Sequence, residues 1–132
     1  MNANELAELI TQGNASAVSQ ALRSDPSLIS ARTADGDMPL HIACWQKQLG
    51  IIGVLAAHQP DVNARGCYGR TPLHYAVHEG GPLSVPIVAD LLARGADPSI
   101  RDDNGFTVED WAKVEMDEGL PDVLALLRGK RP

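Results

Sequence analysis

Two stretches of this chain repeat each other closely. Met38-Pro39-Leu40-His41-Ile42-Ala43 and Thr71-Pro72-Leu73-His74-Tyr75-Ala76 stand 33 residues apart. A third stretch 36 residues further on, Thr107-Val108-Glu109-Asp110-Trp111-Ala112, keeps Thr and Ala at its ends and changes the middle. A unit of this length that recurs cannot bury its apolar face alone, so it stacks on its neighbours. Each hexad also has a mechanical reading. Thr71 is a good helix N-cap, because its hydroxyl can accept from an orphan backbone N–H. Pro72 suits the first helical position, where a missing N–H costs nothing. Leu73 and Ala76 share one helix face, and the small Ala lets a neighbouring helix approach. A glycine stands two residues ahead of each hexad (Gly36, Gly69, Gly105) and suits the positive φ of a tight turn. Each unit therefore reads as a turn, a helix and a second helix.

A period near 33 with a T-P-L-H-x-A core resembles the ankyrin-repeat family. The resemblance covers about residues 4–128. It is strongest in the two internal units and rests on helix periodicity alone at the ends. It implies an all-α, ankyrin-type helical solenoid of four helix pairs. The expected single domain, 1–132, divides into an N-terminal cap 4–30, repeats 31–63 and 64–99, and a C-terminal repeat or cap 100–128.

Composition agrees with stacked units. A chain of 132 residues is one domain by length, and 44% apolar with 21% charged residues is globular rather than disordered. Aromatics make up only 4%. A single round core of this size draws on more large rings, whereas thin layers between repeats are filled by Leu, Ile, Val and Ala. The net charge of −6 argues against nucleic acid as the main partner, because phosphate binding draws on clustered Lys and Arg. It fits a protein partner with a basic surface, and it fits ordinary solubility equally well.

In chain order, Leu6, Leu9 and Ile10 face one side of a helix over 4–12, with Glu5, Glu8 and Gln12 on the other. Gly13-Asn14 breaks it. Ala17, Val18, Ala21 and Leu22 begin a second helix that stops near Asp25-Pro26. In the second unit, Pro39 to Lys47 forms the first helix, and Ile51, Ile52, Val54 and Leu55 lie in the next. Gln59-Pro60 stands where the family has Gly-Ala. In the third unit, Gly80-Gly81-Pro82-Leu83-Ser84-Val85-Pro86 accounts for the three extra residues, and Pro86 is expected to start the following helix. Asp90 falls among apolar positions there, so either it turns outward or the insertion rotates the helix. The last helix runs through Leu120, Val123, Leu124 and Leu127, and Gly129 to Pro132 is expected to fray. Residues 102–122 hold eight acids and one base, net −7, so the acidity is concentrated at one end.

The catalytic and metal readings are weak. In the family, the His at positions 41 and 74 is structural and bonds neighbouring backbone. His74 and His78 have the spacing of two ligands in H-E-x-x-H sites, but Ala76 and Val77 occupy the middle and no third ligand is evident. Cys44 lies one turn from His41, yet it replaces a buried small residue of the family, and a buried thiol is inert. Gly80-Gly81 lacks the Lys of a phosphate loop. No catalytic residue, metal or cofactor is therefore assigned, and the thiol or metal enzyme using His74, His78 or Cys44 stays a minor alternative, as does a plain spacer.

The resemblance favours a binding surface instead. Ankyrin-like stacks are lined on their concave side by turn tips and exposed first-helix positions. The matching residues here include Asp35, Asp37, Trp45 and Gln46 in the second unit. In the third they are Tyr68, Arg70, His78 and Glu79, and in the fourth Asp103, Phe106 and Glu115. Trp45 and Tyr68 are expected to form one apolar anchor of the hot-spot kind. Tyr75 and Trp111 are expected to pack between helices. The implied role is non-catalytic protein–protein binding, as a scaffold, an inhibitor or a toxin-neutralising, immunity-type protein, by a chain that is a monomer on its own.

Met1 to Ile10 carries Glu5 and Glu8, no basic residue and no long apolar run, so it reads as neither a secretory signal nor a membrane span. Two cysteines make no disulfide framework, and a cytoplasmic compartment with both reduced is expected. Intact mass under denaturing, alkylating conditions should show Cys44 and Cys67 both modified. An unalkylated chain short by two hydrogens would overturn this.

Overall fold

In the computed structural model, which describes residues 1–114 and 120–129, both proline-bearing hexads open helices. Met38 and Thr71 are extended, with φ near −86° and −88°, and Pro39 and Pro72 are the first helical residues. The described residues form eight α-helices and no strand. They are α1 (Ala3–Thr11), α2 (Ala15–Ser24), α3 (Pro39–Trp45), α4 (Leu49–Ala56), α5 (Pro72–Val77), α6 (Ser84–Ala93), α7 (Val108–Val114) and α8 (Leu120–Gly129). The fold is an all-α helical solenoid type, built from consecutive helix pairs.

The chain divides into two compact units, residues 1–61 and 62–132. In the first, α1 pairs with α2 and α3 with α4, while α1 stacks on α3 and α2 on α4. First helices thus form one layer and second helices the other. Leu6, Ile10, Val18, Leu22, Leu40, Ala43, Ile52 and Leu55 fill the space between. The second unit repeats the arrangement with α5, α6, α7 and α8 around Leu73, Ala76, Ile87, Val88, Leu91, Val108, Ala112, Val123 and Leu127. These are Leu, Ile, Val and Ala, the residues of thin layers.

Local chemistry starts each element. Asn2 caps α1 by accepting from the Glu5 N–H, and Glu5 accepts in return from the Asn2 N–H, a reciprocal box. Asn14 caps α2 through the Ala17 N–H. Asp25 ends α2 and accepts from the backbone and hydroxyl of Ser27, opening a 3-10 turn over Pro26–Ser30. The sequence reading had no element there. Asp97 repeats the device with Ser99.

The three turn tips share one hydrogen-bond pattern. Thr33, Gly66 and Asp102 donate N–H to the carbonyls of Asp37, Arg70 and Phe106, and the glycines at 36, 69 and 105 donate back to the same three residues. Gly69 has φ 71°, and a Cβ there would collide with the Arg65 and Asp103 side chains as well as strain the backbone. An arginine braces each tip from four residues before the glycine. Arg32 and Arg101 donate to the carbonyls of Gly36 and Gly105 at 2.7 Å, and Arg65 to that of Gly69 at 3.2 Å.

The insertion in the third unit acts differently from the expectation. α6 begins at Ser84, two residues before Pro86, which sits in the first turn where no intrahelical N–H bond is lost. The buried Ser84 hydroxyl lies 2.8 Å from the Ala76 carbonyl and 2.7 Å from that of Gly80, tying the loop to α5. Glu79, Gly80 and Gly81 all have positive φ. Asp90 turns outward and pairs with Arg94 at 3.0 Å, one helical turn on. Gly129, where the fray is expected to begin, instead ends α8; Lys130 to Pro132, and the acids Glu115, Asp117 and Glu118, lie outside the described residues.

Leu73 is 1% exposed between α5 and its neighbours. Leu73→Ala is expected to cost about 2–5 kcal/mol, read by denaturant titration. An unchanged midpoint would remove Leu73 from the layer.

Candidate partner-binding surface

His74 sets the geometry of the second unit. It is wholly buried. The Thr71 N–H donates to its Nδ1 at 3.0 Å, and the Thr71 hydroxyl lies 2.8 Å from the same nitrogen. Its Nε2 lies 2.9 Å from the Phe106 carbonyl oxygen. A backbone N–H only donates and a carbonyl only accepts. Nδ1 is therefore bare and Nε2 carries the hydrogen, which fixes one neutral tautomer. Burial holds the imidazole below its ordinary pKa of 6.5, against the pull of the Phe106 carbonyl and the Asp102 carboxylate. His41 repeats the inner contact, its Nδ1 accepting from the Met38 N–H at 3.0 Å.

This geometry bears on the metal and thiol readings. Both His74 nitrogens are committed. α5 ends at Val77, and His78 is extended (ψ 129°), so the two histidines do not stand one turn apart on a helix. Cys44 is wholly buried, and both cysteines are free thiols.

The fourth hexad lacks His but keeps its inner bond. Asp110 accepts from the Thr107 N–H at 3.0 Å, while the Thr107 hydroxyl accepts from the Asp110 N–H at 3.2 Å. Two other acids of the acidic end are structural as well. Asp102 is 4% exposed and accepts from the N–H groups of Asn104 and Phe106 and from the Trp111 indole. Burial alone would raise its pKa, but these hydrogen bonds outweigh it and hold the carboxyl below its ordinary value. Glu109 lies 3.5 Å from Lys113 and 3.6 Å from Arg128. The run 102–122 is thus not a uniform solvent-facing acidic face.

Above this frame the second unit gathers four of the expected surface residues, Tyr68, Arg70, His78 and Glu79. The Arg70 guanidinium lies over the Tyr68 ring at 5.1 Å and over the Trp111 ring at 4.8 Å. The His78 ring meets Trp111 edge-on with centroids 6.0 Å apart, and Glu79 lies 3.7 Å from its Nε2. Tyr68 is 64% exposed and holds a left-handed backbone, φ 56°. Asp103 is turned toward Arg65, 3.2 Å away, and its N–H donates to the Tyr68 carbonyl. Phe106 is half exposed beside an open depression of about 650 Å³, whose wall includes Trp111, Lys113 and Val114. In the first unit, Asp35, Trp45 and Gln46 are exposed and Asp37 is half-buried. Glu115 lies outside the described residues.

The helix pairs and the glycine tips recur as one unit, and a profile described as ankyrin repeats (3 copies) matches residues 6–102. The chain belongs to the ankyrin-repeat family. An ADP-ribosylation factor GTPase-activating protein of Arabidopsis thaliana is 40% identical over 77 residues, which is 58% of this chain and 9% of that protein. The ankyrin repeat and SAM domain-containing protein 6 of Rattus norvegicus is 30% identical over 109 residues, 82% of this chain and 12% of that protein. The NF-kappa-B inhibitor cactus of Drosophila melanogaster is 40% identical over 53 residues, 39% of this chain and 11% of that protein. The chain thus spans about a tenth of the length of these relatives.

Ankyrin repeats are protein–protein interaction modules, and this ankyrin chain carries that module. No described helix is long and apolar enough to cross a membrane. Trp111, expected to pack between helices, meets the His74 and His78 rings edge-on but is only half-buried. It shares the register of Tyr75, which is buried, but its indole N–H is drawn to Asp102 and its ring stays half-buried under Arg70.

The His74 tautomer predicts a pH dependence. The folded pKa lies below the unfolded 6.5, so above pH 6.5 neither state holds the proton and stability is complete. As the pH falls below 6.5, the unfolded chain takes up a proton that the folded chain refuses. Stability then drops, by at most about 1.4 kcal/mol per pH unit for one proton, until the folded chain too is protonated. His74→Asn keeps an acceptor for the Thr71 N–H, as Asp110 does for Thr107, and should flatten this slope. An imidazole titrating at or above 6.5 by NMR would refute the assignment.

Proposed function

We propose that this ankyrin chain is a non-catalytic binding module that engages a protein partner through its turn tips and first helices. The observation that carries the reading is the exposure of three rings, Trp45, Tyr68 and Phe106, at 40%, 64% and 50%, at tip and first-helix positions. Large rings beside Arg and acids are what interface hot spots consist of. The expected set, Asp35, Asp37, Trp45, Gln46, Tyr68, Arg70, His78, Glu79, Asp103, Phe106 and Glu115, remains the proposed surface, with Trp111 added. Lack of catalysis is supported by the committed ring of His74 and the burial of Cys44.

Within that class, an occluding inhibitor is the favoured role. The name of the inhibitor cactus supports it by similarity, and the net charge of −6 suits a partner whose surface is basic around the contact. None of the relatives named above supports a toxin-neutralising role in particular. Two free thiols suit a reducing compartment such as the cytoplasm, and the chain is proposed to act as a monomer.

Capture from a lysate of the source cells tests the reading, run beside Trp45→Ala and Tyr68→Asn. Asn suits the left-handed backbone at 68 better than Ala. Each variant is expected to weaken the captured complex by more than about 2 kcal/mol, chiefly through faster dissociation. Raising salt should slow association, because the charges act over a Debye length of roughly 8 Å at physiological ionic strength. If both variants bind the captured protein as the parent does, the interface lies elsewhere, with the Gly80–Pro86 loop the next place to look.

A further inference from the structure

Packing among the described residues does not explain Arg70. It is half-buried, and its Nε is shut off from solvent with no hydrogen-bond partner. Among the described residues no carboxylate or carbonyl takes any of its guanidinium N–H groups; the guanidinium's contacts are the faces of Tyr68 and Trp111. The other tip arginines behave differently, since Arg65 and Arg101 each spend their donors on a glycine carbonyl. Acids are not scarce nearby: Asp103 follows the Tyr68 carbonyl but goes to Arg65, Asp102 goes to Trp111, and Glu79 lies by His78. A guanidinium has five donors in a plane that matches a carboxylate edge to edge. Two aromatic faces hold that group and offset part of its desolvation, and because Nε is shut off while the terminal nitrogens are not, the Nη1–Nη2 edge is the one left for an outside acceptor. Leaving a half-buried cation without an anion is costly, and a bound anion would remove that cost.

We propose that Arg70 receives one Asp or Glu side chain of the protein partner, seated between the rings of Tyr68 and Trp111. This rests on the binding reading above and specifies its chemistry. A side-chain carboxylate is favoured over a phosphate because Glu79 and Asp103 flank the site and repel a dianion more than a single charge. The ring walls also suit the methylenes of a Glu or an apolar neighbour of an Asp. The partner's contact is therefore a single acid set in a basic surround, a pattern that fixes register as well as strength.

The test is a selection of random peptides displayed on phage against the full chain, followed by affinity measurement of synthetic winners. Winners that fail to bind Tyr68→Asn engage this face and uphold the binding reading. Among those, an Asp or Glu is expected whose change to Asn or Gln weakens binding by about tenfold or more. That loss should vanish in Arg70→Gln, and Arg70→Lys should recover only part of it, since an ammonium has no planar fork. A thermal melt of each variant shows that it is folded, and the peptide substitutions need no protein variant at all. Face-binding winners with no required acid, or an acid effect unchanged in Arg70→Gln, would overturn the proposal while leaving the binding reading intact. A selection in which no winner depends on Tyr68 would overturn both.

Discussion

The second unit depends on one imidazole. His74 accepts from the backbone at the start of its own helix and donates to the backbone of the next tip, at 3.0 and 2.9 Å. It thereby joins α5 to the turn that precedes α7. The bridge is directional, because only the neutral ring with its hydrogen on Nε2 can make both bonds. Its neighbours reinforce the same junction. The Tyr68 carbonyl takes the Asp103 N–H, Arg65 reaches the Arg101 carbonyl, and Asn63 binds both the Gly95 carbonyl and the Asp97 N–H. The two tips of this unit are thus joined by one backbone pair and by the side chains of Asn63, Arg65 and His74, each of which meets a backbone group.

The fourth hexad shows what happens when half of the bridge is removed. Asp110 keeps the inner bond to Thr107, but a carboxylate has no hydrogen to pass forward. Glu109, standing where Leu73 fills a layer, reaches Lys113 and Arg128 instead of an apolar neighbour. The hexad that departs from the motif is therefore still a proper helix start, with the features that propagate stacking replaced by charge. Its divergence has a physical meaning that composition alone does not convey.

Much of the frame was legible because it is periodic. The glycine two residues before each hexad, the proline at the helix start and the apolar face follow from backbone geometry, which a sequence displays directly. The less legible parts involve competition between partners. Asp102 reads as surface acidity, yet the indole of Trp111 and two backbone N–H groups draw it inside. Ser84 reads as one more loop residue, yet its hydroxyl reaches the end of α5 and starts α6 two residues early. Arg65 and Arg101 read as charges, yet they serve as braces. Each side chain had several partners within reach, and only the folded geometry selects among them. The surface assignments share this limit: the sequence names the positions, and the structure shows that Arg70 and Trp111 meet while Asp103 turns toward Arg65.

The position just before each hexad explains how such a frame can carry specificity. Asp37, Arg70 and Phe106 occupy it in turn, an acid, a cation and a ring. Their backbones are interchangeable, because each carbonyl accepts the N–H that closes its tip. The tip thus asks for a backbone carbonyl at this position whatever the side chain. A residue whose structural duty is discharged by its carbonyl can change charge or size at little cost to stability. In the second unit that position brings a cation onto two rings, so what the surface offers follows from which residue holds the position rather than from any change in the frame.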